Sequence, residues 1–143
     1  MKGLDAVKAV GLAVLILALN LGLAFACVFA YATVVAPGRG ETFYRAAAPG
    51  IAGWSAPLGG ALLFLAATYL LARRRPQRNA FKFAGMAWLG YVIVDIGSGA
   101  ASGGGLAMLS LQMAVSMGLA LAGALAGAAL ARAKSRSLAP TGA

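Results

Sequence analysis

Histidine is absent from this chain, cysteine occurs once, and acidic residues occur three times. These shortages close off much of protein chemistry. With no imidazole, one thiol, and carboxylates scattered at Asp5, Glu41 and Asp95, neither a conventional zinc site nor a histidine-ligated haem can be assembled. No metal and no cofactor are therefore expected. A lone cysteine excludes an intrachain disulfide, and Cys27 falls inside an apolar run, where it reads as a small buried hydrophobe. Enzyme signatures are missing too: there is no phosphate-binding G-x-x-x-x-G-K, no G-x-S-x-G, and no base to pair with a serine. The chain is not expected to be an enzyme.

What is present is grease. Of 143 residues, 62% are apolar and 10% charged, far from the roughly half and quarter of a soluble domain. The apolar residues come in uninterrupted blocks, whereas a soluble helix would set an apolar stripe against a charged face. Blocks of about 18 residues or more read as membrane spans. Four are present, at about 10–36, 54–72, 83–101 and 106–131, and together they predict an all-α polytopic membrane protein. One membrane domain covers 1–136, and 137–143 reads as a disordered cytoplasmic tail.

The first block also resembles a secretory signal, with a basic start, an apolar run, and then Ala24 and Ala26 just before Cys27. The run continues to Ala36, beyond a signal's usual core, so it is read as a retained span. Residues 37–53 contain Pro37, Gly38, Pro49 and Gly50, which punctuate a loop. With Phe43, Tyr44 and Trp54 they suggest a segment lying along the outer interface.

Twelve Lys and Arg against three acids could suggest nucleic acid, but the basic residues sit only between and beyond the apolar blocks. That pattern fits flanks meeting anionic headgroups, and no nucleic-acid partner is expected. Arg73, Arg74, Arg75 and Arg78 are the candidate anionic-lipid contacts, and they also serve as the stop signal of the second span. Ten basic residues flank the amino end, the middle loop and the carboxyl end, while Arg39 and Arg45 alone lie on the opposite side. Both termini are therefore expected in the cytoplasm of a bacterial-type inner (plasma) membrane, around an up-down four-helix bundle. So lopsided a count argues against insertion in both orientations.

Polar groups inside the hydrocarbon carry the functional candidates, because lipid cannot satisfy them. Asp95 is the one acid within a block. Counting 1.5 Å per residue from Ser102 places it roughly 10 Å from the outer side, and Gln112 lies roughly 9 Å from the same side by the same count. An Asp95–Gln112 hydrogen bond is expected, with Tyr91 and Trp88 on the Asp95 face. Asp95, Tyr91 and Gln112 thus form a candidate polar site for a proton, a cation or a basic substrate group, or else a pin between two helices. Asn20, Thr68 and Tyr69 are expected at a common depth in the inner half as helix-to-helix hydrogen bonders.

Small residues repeat every four positions at Ala18, Gly22 and Ala26 in the first span and at Gly123 and Gly127 in the fourth. Such ladders let helices approach closely, within one chain or between chains. Two functions follow as expectations. One is an accessory or scaffold subunit held to a membrane-protein partner through these faces, and the other is a small oligomeric transporter or channel built around Asp95.

Overall fold

The computed structural model describes residues 3–74, 79–101, 103 and 110–137. Arg75 and Arg78, most of the glycine-rich turn, the expected start of the fourth span at 106 and the tail 138–143 lie outside them. The described chain forms α1 (Gly3–Ala30), continued by a π-helical turn (Tyr31–Val35), then α2 (Glu41–Arg74), α3 (Ala80–Ala101) and α4 (Leu111–Ser137). All four helices are long and apolar enough to cross a membrane.

The connection between α1 and α2 is much shorter than the sequence suggests. α2 starts at Glu41, so residues 41–53 are helical and do not form a loop. At 34 residues it measures about 51 Å, against about 30 Å of hydrocarbon. Pro49 and Pro57 lie inside it and do not end it. Proline removes one helical hydrogen bond, a loss that a neighbouring helix can make good within an apolar bundle.

The turn before α2 is tied by Tyr44. Its hydroxyl accepts the Arg39 N–H at 3.0 Å and lies 2.7 Å from the Ala36 carbonyl oxygen. Gly38 turns the chain at φ 75°, a left-handed conformation that suits glycine. Tyr31 stacks on Phe43 at 6.5 Å, and Glu41 pairs with Arg45 at 2.7 Å.

Side-chain caps start the other two helices. The Asn79 Oδ1 accepts the Lys82 N–H at 3.1 Å, and the Ser110 Oγ accepts the Met113 N–H at 3.2 Å. Ser110 therefore places the first described turn of α4 four to five residues later than the apolar pattern alone implies. At the far end of α3, the Gly103 N–H closes on the Ala100 carbonyl, with Gly103 at φ 83°.

Around the bundle the order is α1, α2, α4, α3, each packed on its two neighbours, so the consecutive helices α2 and α3 face each other across the diagonal. They meet at the centre, where the Phe64 ring lies edge-on to Tyr91 at 5.3 Å. Phe64, Ile16 and a set of alanines, among them Ala84, Ala87, Ala124 and Ala128, fill the core.

The contacts also set helix directions. Asn20 lies against Gly59 while Tyr31 lies against Phe43, so α1 and α2 run antiparallel. Gly53, Ala61 and Leu65 meet Gln112, Gly123 and Gly127 in rising order, so α2 and α4 run parallel. Lys8, Arg73, Arg74, Arg132 and Lys134 consequently gather at one end of the bundle, with Arg39 and Arg45 at the other.

Candidate functional site

Along the α2/α4 seam the two helix backbones come into direct contact. A Cβ built on Gly123 would run into the Ala61 carbonyl, and one on Gly127 would run into the Leu65 carbonyl and the Thr68 hydroxyl. Glycine at both positions lets two backbones touch, the arrangement that gains most from dispersion in lipid. Thr68 secures the same seam. Its Oγ1 lies 2.7 Å from the Phe64 carbonyl oxygen of its own helix and 3.0 Å from the Ala124 carbonyl oxygen of α4. The G-x-x-x-G face expected as a packing face is thus occupied by this chain's own α2.

Ala18, Gly22 and Ala26 have the opposite fate. All three are exposed on α1, and a Cβ on Gly22 would meet nothing within 4 Å.

Asn20 is 5% exposed and projects from α1 against the tandem glycines of α2, its Oδ1 toward Gly59 and its Nδ2 toward Gly60. Its Oδ1 is buried with no hydrogen-bond partner among the described residues. Asn20 therefore lies level with Gly59. Thr68 stands nine residues further along α2, roughly 13 Å deeper, because the early start of α2 shifts the register from the one expected. From α3, Tyr91 is 4% exposed, with its ring edge-on to Phe64 in the same core. Asp95 is half-buried one turn beyond Tyr91, and its backbone carbonyl accepts the Ser98 hydroxyl at 2.9 Å.

Gln112 does not join them. Its Nε2 donates to the Gly53 carbonyl of α2 at 3.1 Å, so the expected Asp95–Gln112 bond is not made. The reason lies in α2: Pro57 has no N–H to give the carbonyl four residues back, which leaves that carbonyl open to Gln112. Trp88 provides the α3/α4 contact instead, donating from Nε1 to the Met117 carbonyl at 2.9 Å.

Asn20 of α1 and Tyr91 of α3 are thus buried in the interior, Asp95 is half-buried one turn beyond Tyr91, and Gln112 lies on the α2/α4 seam instead. The available signal for Asn20 was the Gly59-Gly60 pair, a gap in an apolar span wide enough for an amide. Phe64 and Ile16, both essentially unexposed, belong to the same core as Tyr91.

A second feature lies on the α2/α4 seam, at the end away from Arg73 and Arg132. An open groove of ≈ 760 Å³ is lined by Pro49, Gly50, Gly53, Trp54, Pro57 and Leu58 of α2 and by Leu111, Gln112, Val115 and Leu119 of α4.

At the basic end, the Arg73 guanidinium lies over the Tyr69 ring at 5.6 Å, with its Nη1 3.4 Å from the Tyr69 hydroxyl. Arg74 is exposed beside it. Among the described residues, no three His, Cys, Asp or Glu side chains group so as to hold a metal ion. Comparison with protein-family models, with curated proteins and with solved structures finds no match.

Proposed function

We propose that the chain is a small multi-pass protein of a bacterial-type inner membrane, with both termini cytoplasmic, that serves as an accessory or scaffold subunit of a larger membrane complex. It docks through the outer face of α1. The observation that supports this reading is the contrast between the two small-residue ladders. Gly123 and Gly127 are used up inside the chain, whereas Ala18, Gly22 and Ala26 lie uncovered. The apolar core adds weight, since Phe64 and Ile16 are packed at its centre with almost no exposure. Orientation rests on the basic end, where Lys8, Arg73, Arg74, Arg132 and Lys134 suit an anionic cytoplasmic leaflet, each contributing about 1 kcal/mol near its surface.

The test is native mass spectrometry of the tagged protein, gently extracted from its own membrane. A foreign subunit at fixed stoichiometry is expected, and Gly22→Leu should release it. Because nothing adjoins Gly22 within the chain, that variant should keep the parent's melting temperature in detergent. A homo-oligomer alone, unaffected by Gly22→Leu, would overturn the reading.

One observation favours a transporter or channel as the second reading: polar Asn20 and Tyr91 are buried in the bundle, with a half-buried acid, Asp95, one turn beyond Tyr91. On that reading Asp95→Asn keeps the fold and abolishes a pH-dependent flux in proteoliposomes. If the same variant instead loses thermal stability, Asp95 acts as a structural pin.

A further inference from the structure

Between Pro49 and Pro57, α2 is a weakly braced stretch of helix. Two prolines withhold two backbone donors within nine residues, and Gly50 and Gly53 add conformational freedom between them. Helices bend at such places. The Gly53 carbonyl, which residue 57 would ordinarily satisfy, is taken by the Gln112 side chain from the first described turn of α4 at 3.1 Å. Ser110 fixes that turn by capping it. Gly53 is also the residue that makes room, since a Cβ there would come within 2.5 Å of Gln112 Nε2. Acceptor, missing donor and substitute donor, Gly53, Pro57 and Gln112, all line the same ≈ 760 Å³ groove.

We propose that Gly53 to Pro57 is a hinge in α2 and that the Gln112 amide is its latch. Engaged, the amide stands in for the N–H that proline lacks, ties Gly53 to the first turn of α4 and holds residues 41–53 in line with the rest of α2. Released, that arm bends at the hinge and the groove between Gly53 and Gln112 widens. The latch depends on Pro57: with a donor restored at position 57, the Gly53 carbonyl is satisfied within α2 and the amide becomes dispensable. This device goes beyond the proposed scaffold role, and neither depends on the other.

The test is hydrogen exchange of the full chain in lipid nanodiscs, read by mass spectrometry on peptides covering 46–56, for the parent, Gln112→Met, Pro57→Ala and the double variant. Methionine keeps the length of glutamine without its donor. Loss of one hydrogen bond predicts roughly fivefold faster exchange over 46–56 in Gln112→Met, with peptides of α1 and α3 unchanged. In the Pro57→Ala background the same substitution should leave exchange where it was. Gly53→Ala, which displaces the amide, should reproduce Gln112→Met. The proposal is overturned if Gln112→Met exchanges like the parent or if the acceleration survives in the Pro57→Ala background. It is also overturned if all helices accelerate together, since that is global destabilisation and not a hinge.

Discussion

Replacing Gly127 by leucine is expected to abolish the folded monomer. The first added carbon would already collide with the Leu65 carbonyl and the Thr68 hydroxyl, and a backbone carbonyl inside a helix has nowhere to retreat. Overpacking a core commonly costs about 1–3 kcal/mol where side chains can give way. Here two backbones must separate along the α2/α4 seam, so Gly127→Ala should already reach that range and Gly127→Leu exceed it. Because folded domains are stable by only about 5–15 kcal/mol, such a loss should appear as aggregation on size exclusion and loss of a cooperative melt. Gly22→Leu, on the uncovered ladder, serves as the internal control and should melt with the parent. If Gly127→Leu instead folds normally and merely sheds a partner, the seam described here is open in the membrane and the fourth helix offers a docking face.

The contrast between these two glycines marks where sequence reading stops. Both lie in ladders of small residues at four-residue spacing, and spacing alone does not say whether the facing helix belongs to the same chain. The four apolar blocks were legible because burial in lipid requires length and composition, which a sequence displays directly. The basic clusters were legible for the same reason. The start of α2 was not, because Pro49, Gly50 and Pro57 read as punctuation, and only packing against α4 explains why the helix runs through them. That single difference moved Asn20 from the level of Thr68 to that of Gly59. It also gave Gln112 a partner on α2 in place of Asp95. Asp95 and Tyr91 share one face of α3, since a separation of four residues follows from helix geometry. Asn20 comes from another helix, and no local pattern joins it to them.

Phe64 separates the two functional readings most sharply. Its ring is wholly buried at the centre of the bundle, edge-on to Tyr91, where the diagonal helices α2 and α3 meet. Truncating a buried phenylalanine to alanine costs about 3–5 kcal/mol, from the lost contacts and the cavity left behind. An edge-on aromatic pair contributes about 0.5–1.5 kcal/mol beyond the area it buries. Phe64→Ala is therefore expected to lower stability by about 3–5 kcal/mol, measured by reversible denaturation in mixed micelles, with Phe64→Leu falling well short of that loss. The cavity would open beside Tyr91, a neighbour whose hydroxyl can hold water where an all-apolar void would stay dry. If the chain is a scaffold, purified Phe64→Ala in proteoliposomes should leak no more cations than the parent, because a cavity confined to the core does not conduct. A cation leak that appears in Phe64→Ala and disappears when Asp95→Asn is added would show that the ring plugs a conduction path through Asp95, and the transporter reading would replace the scaffold.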